Sequence, residues 1–140
     1  MIAPSVNAYV EKILIRDKDA SNVILMNYHN TLMSTHGLSY SYLTSLTEKK
    51  RGLETKSCLR IWKELEYINY GEEIEKINES RSLRIDSIPG YTKTLPNLTE
   101  LLQRSNAKSA AFYPLEGIEG PVGMLIVIYP KAKEYYLGYY

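Results

Sequence analysis

Apolar and polar residues follow three different rhythms along this chain. Val6, Tyr9, Val10, Ile13 and Leu14 recur at i, i+3, i+4, i+7 and i+8, which is one apolar stripe on a helix. Ser5 stands where the N-cap of that helix is expected, and Arg16-Asp17-Lys18-Asp19 is the solvated turn that ends it. Val23-Ile24-Leu25-Met26 is a short continuous apolar run behind Ser21-Asn22, the pattern of a buried strand. It leads into Asn27-Tyr28-His29-Asn30 and a loop with His36-Gly37. Over residues 39–47 the period becomes two. Tyr40, Tyr42, Thr44 and Leu46 share one face, and Ser39, Ser41, Leu43 and Ser45 the other, predicting a half-buried strand paired to the first by a long hairpin.

Lys49-Lys50-Arg51-Gly52 breaks this alternation and reads as a solvated basic turn. Cys58, Ile61, Trp62, Leu65 and Ile68 then return to helical spacing, predicting a helix over 54–69 that Tyr70-Gly71 ends. A short helix over 72–79 carries Ile74 and Ile77, and alternation over 82–88 predicts an edge strand before Pro89-Gly90. Asn97 and Glu100 have capping-box spacing at the start of a helix whose Leu98, Leu101 and Leu102 face inward. Segments 108–115 and 122–129 close the chain as a hairpin. The predicted class is α+β: a central antiparallel sheet of about five strands, with helices packed mainly on one face. The runs 23–26 and 122–129 are expected side by side at its centre.

Length and composition fit one domain, residues 1–140, with 131–140 a Tyr-rich C-terminal segment. The chain is 44% hydrophobic and 24% charged, an ordinary globular balance. Seventeen basic against sixteen acidic residues give a net charge of +1, so no global field favours nucleic acid or an anionic membrane. Cys58 is the only cysteine, which excludes an internal disulfide and a thiolate metal cage. No segment approaches the ~20 apolar residues of a membrane span. Glu11, Lys12 and Arg16 stand where a signal peptide would be apolar. Thirteen tyrosines against one phenylalanine and one tryptophan suit contact surfaces.

Ala107-Lys108-Ser109-Ala110-Ala111-Phe112-Tyr113-Pro114-Leu115, a short turn, and Pro121-Val122-Gly123-Met124-Leu125-Ile126-Val127-Ile128-Tyr129 resemble the closing hairpin of GAF domains. Tyr28-His29-Asn30 after an apolar strand is similar to bacterial and phage GAF-like proteins, whose strand ends in Phe-His-Asn-Gly; Thr31 departs from that glycine. Thr47-Glu48 stands for the second element of that pattern. The resemblance implies a cupped sheet that binds a small molecule or dimerises. The cyclic-nucleotide motif of the family is not in the sequence, and Cys58 does not match the chromophore-attaching cysteine.

No catalytic constellation emerges. His29 and His36 have no third zinc ligand beside them, and there is no Gly-x-Ser-x-Gly elbow and no phosphate loop. Glu48 reads first as a surface or structural residue; as a pocket acid beside Tyr42 and His29 it would stand alone, where acid–base work needs a partner. A free-methionine-sulfoxide-reductase chemistry, known on this fold, needs several cysteines. The chain is therefore expected to be a non-enzymatic binding or assembly module, without cofactor or metal, whose partner is a protein or a second copy of itself. The alternative is small-molecule sensing in the cup, lined by Tyr28, His29, Tyr40, Tyr42, Phe112 and Tyr113. Tyr135, Tyr136, Leu137, Tyr139 and Tyr140 are the expected partner contacts. The Tyr-, Asn-, Ile- and Lys-rich composition suggests a bacteriophage virion or accessory protein, sited in the virion or in the cytoplasm of a bacterial host.

Overall fold

The computed structural model describes residues 4–33, 39–118 and 120–133. Helix α1 (Pro4–Arg16) precedes strands β1 (Asn22–Met33), β2 (Ser39–Lys50) and β3 (Glu64–Glu66). Helix α2 (Tyr67–Ser80), strand β4 (Leu83–Ile85), a 3-10 turn (Ile88–Tyr91), helix α3 (Pro96–Arg104) and the hairpin β5 (Ser109–Gly117) and β6 (Gly120–Tyr129) follow. The strands form one sheet in the order β3-β2-β1-β6-β5-β4, and every neighbouring pair is antiparallel.

The centre of the sheet is as expected. Val23 lies opposite Val127, Ile24 opposite Ile126 and Leu25 opposite Leu125. Gly123 is needed there, because a Cβ at that position would lie 2.1 Å from the Met26 carbonyl oxygen. Period two then divides the side chains between two cores. Ile24, Met26, Phe112, Met124 and Ile126 face α2 and α3 with Trp62, Ile74, Ile77, Leu98 and Leu102. Val23, Leu25, Ala111, Leu125 and Val127 face α1 through Val10 and Leu14. Two helices thus share one face, and α1 covers part of the other. Burying each large side chain of these sets contributes about 1.5–3 kcal/mol.

The main correction concerns residues 54–69, which are not a helix. Residues 51–63 form turns and bends, β3 follows as a sixth strand at the sheet edge, and α2 starts only at Tyr67. Cys58, Trp62 and Leu65 are buried as the helical spacing suggested, yet an irregular loop carries the first two and strand β3 the third. What holds that loop is a distant carboxylate. Glu48 accepts hydrogen bonds from the backbone N–H of Cys58 (2.7 Å), Ser57 Oγ (2.7 Å) and Asn22 Nδ2 (3.0 Å). Gly71 does not end a helix but lies inside α2, where a Cβ would meet the Tyr67 ring at 2.8 Å.

The expected caps differ as well. Ser5 is inside α1. The Asn97–Glu100 capping box does not form, since α3 begins with Pro96 and its cap residue Leu95 makes no side-chain bond. The buried Glu73 of α2 supplies that cap instead, accepting from the backbone N–H groups of Leu98 (2.8 Å) and Asn97 (3.2 Å). A carboxylate at a helix N-terminus satisfies orphan donors and complements the helix dipole.

Candidate functional site

The residues expected to line one cup stand on opposite faces of the sheet. Tyr28 and Phe112 point towards α2 and α3, whereas His29, Tyr42 and Tyr113 belong to the face that carries α1. The cause is the pleat: adjacent residues of one strand alternate, so Tyr28 separates from His29 and Phe112 from Tyr113. Tyr40 enters the ladder opposite Leu32, but its side chain lies outside the described part. Tyr135, Tyr136, Leu137, Tyr139 and Tyr140 lie outside the described residues too.

The face under α2 and α3 is filled. Trp62, Phe112, Met26, Leu43, Ile74 and Leu98 are each at most 1% exposed. The Trp62 and Phe112 rings lie 6.2 Å apart, tilted by 55°. Indole Nε1 donates to Ser105 Oγ at 2.8 Å, and Ser105 Oγ donates in turn to the Leu101 carbonyl at 2.7 Å. A tyrosine pair closes the β1 end of this layer. Tyr28 meets Tyr67 edge-on, with centroids 6.5 Å apart, and its hydroxyl accepts from Asn78 Nδ2 at 3.3 Å. The Tyr67 hydroxyl donates to the Glu75 carboxylate. Burial, above all, pushes both phenols above the usual tyrosine range, so each stays protonated at neutral pH. Among the described residues, no buried side-chain nitrogen or oxygen lacks a partner.

Cys58 adjoins this core and is 3% exposed. Burial, then the Glu48 charge, pushes its thiol up to about 11, which keeps it out of the reactive thiolate form.

A different group forms on the other face, where α1 does not reach. The β1–β2 register sets His29 against Tyr42, with stacked rings 5.7 Å apart, and the β2–β3 register sets Thr44 against Glu64. His29 Nε2 shares a hydrogen bond with Thr44 Oγ1 and lies 3.7 Å from Glu64 Oε1. Both partners therefore meet the same ring nitrogen. A Thr-His-Glu relay needs the carboxylate on the opposite nitrogen, where it orients the imidazole as a base. The pair is also open to solvent, with 37% and 47% of the two side chains exposed. This arrangement leaves polar groups open to solvent and lacks the geometry of a nucleophile-activating relay. The sequence signalled His29 and Tyr42 through the strand pattern. It hid Glu64, which fell within the stretch that resembled a helix.

No group of three or more His, Cys, Asp or Glu side chains among the described residues is placed to hold a metal ion. No helix among them is long and apolar enough to cross a membrane.

No family profile matches the chain, and neither does any curated protein sequence. Solved structures do match in fold. The red-light-absorbing state of NpR6012g4, a red/green cyanobacteriochrome, superposes with a TM-score of 0.65 at 12% identity, over 93% of this chain and 78% of that one. The far-red-absorbing dark state of JSC1_58120g3 with bound biliverdin gives 0.60 at 13% identity, over 91% and 73%. The GAF domain of a two-component sensor histidine kinase from Bacillus halodurans gives 0.54 at 10% identity, over 98% and 82%. With the α+β topology derived above, these likenesses make the chain a GAF-like domain in fold.

Proposed function

We infer that this chain is a non-catalytic GAF-like module that acts through a protein partner or through a second copy of itself. One observation carries the reading: the sheet face under α2 and α3 is occupied by the chain's own side chains, centred on Trp62 and Phe112. A ligand there would have to displace an interior of native density. The tyrosines at 135, 136, 139 and 140, with Leu137, are the proposed contact segment. They follow Lys133, whose backbone N–H donates to the Asp86 carbonyl at 2.9 Å and whose ammonium lies 3.4 Å from Asp19 Oδ2. The phage or virion setting draws no support from the fold.

Small-molecule sensing is the second reading, favoured by the likeness to a structure that holds biliverdin. One experiment separates the two. Thermal unfolding is followed with biliverdin, haem and cyclic nucleotides, and molar mass is measured by light scattering with and without residues 134–140. The partner reading predicts no ligand-dependent rise in Tm, and an assembly or partner complex that the truncation disperses. A saturable rise with one of these ligands overturns it, because binding to the native state alone must stabilise that state.

A further inference from the structure

The end of the sheet where β1 begins and where β2 and β6 finish gathers cations that are distant in sequence. Lys18, Arg51, Lys131 and Lys133 line an open cleft of about 640 Å³ there, and Asp19 is the carboxylate in its wall. Lys50 ends β2 opposite Asn22, and Lys108 donates its backbone N–H to the Tyr129 carbonyl at 2.9 Å, which brings two more lysines to this end. The whole chain carries only +1, so this is a local concentration of charge. The basic run 49–51 read as a solvated turn because its partners come from the other ends of the chain.

These cations have different tasks. Arg51 donates to the carbonyls of Ala20 (2.9 Å), Asp17 (2.8 Å) and Leu14, which closes the C-terminus of α1. Lys133 lies near Asp19 and 4.3 Å over the Tyr129 ring, whose hydroxyl donates to Asp17. Both hold the walls of the cleft. Lys18 and Lys131 are exposed and make no ion pair among the described residues. At the rim, Gly52 turns with a φ of 70° and lifts Leu53 to 98% exposure, between the lining residues Arg51 and Thr55.

We propose that this end of the sheet docks an acidic segment of a partner protein, with carboxylates against Lys18 and Lys131 and an apolar side chain against Leu53. The proposal rests on the partner-binding reading above and names the chemistry of the partner. A small-molecule anion site would bring buried polar groups to one point, whereas the available cations here are exposed. A nucleic-acid track would need a longer basic stripe than the two exposed lysines, Lys18 and Lys131, that the cleft offers outside an ion pair. Exposed lysines beside one apolar anchor steer and orient an acidic chain, and salt weakens such docking.

The full chain is titrated, by fluorescence anisotropy, with a labelled peptide of glutamates around a central leucine. Saturable binding is expected at about 50 mM salt, and it weakens as salt shortens the Debye length. The double variant Lys18→Glu, Lys131→Glu should weaken it at least about tenfold, since like charges then face the peptide. The control Lys63→Glu, Lys93→Glu, two exposed lysines outside the cleft, should leave it unchanged. Circular dichroism verifies that both variants fold. No saturable binding, equal weakening by the two variants, or tighter binding of single-stranded DNA or phosphatidylserine vesicles overturns the proposal. A silent peptide with a silent cup-ligand panel sinks this proposal alone, whereas a stabilising cup ligand sinks the partner reading.

Discussion

The two faces of the sheet are built to different ends. The face under α2 and α3 is a closed layer, whose large side chains interlock around Trp62 and Phe112 and whose polar atoms are spent on neighbours. The opposite face has a smaller core beneath α1 and then opens onto His29, Tyr42, Thr44 and Glu64. The same strands supply both, since the pleat sends alternate residues to opposite sides. The difference teaches where packing is concentrated and where polar groups stay accessible. Among the described residues, the closed face is filled by the chain's own large side chains, whereas the open face leaves polar side chains accessible to solvent.

Substitutions can test this contrast. Trp62→Ala should be the most damaging, at about 4 kcal/mol, because it opens a cavity in the closed layer and removes the indole N–H that donates to Ser105 Oγ. Chemical denaturation measures it as a lower midpoint at an unchanged slope. Glu73→Ala should cost about 2 kcal/mol by removing the carboxylate that caps α3. It should also speed amide exchange at Asn97 and Leu98, which a packing defect elsewhere would not single out. Glu64→Gln on the open face should change stability by less than about 0.5 kcal/mol, since the His29–Glu64 pair is solvent-exposed. A loss near that of Glu73→Ala would show that the open cluster is structural after all.

Much of this was legible in the sequence, and what escaped has a common cause. Apolar runs and alternation revealed the central strands and the closing hairpin, because those signals are local to each strand. The Cys58–Leu65 stretch misled because an irregular loop that reaches into a core from one side can place apolar residues three and four apart, as a helix does. The Glu48 carboxylate that decides its shape lies ten residues from Cys58 in sequence. The α3 cap was equally remote, arriving from Glu73 on another helix. For the site, the pairing of β1 with β2 was readable but not the register that joins His29 to Tyr42, and the pleat should have parted Tyr28 from His29. The basic cleft was not readable, since it unites Lys18, Arg51 and Lys131 only once the sheet has closed.

The chain's only tryptophan sits at the centre of the closed face, fully buried, and so reports on it directly. Acrylamide quenching of Trp62 in the folded chain should be weak, its emission blue-shifted, and both unaltered by biliverdin or a cyclic nucleotide. Ready quenching with red-shifted emission, or a saturable change on adding such a ligand, would contradict a filled cup.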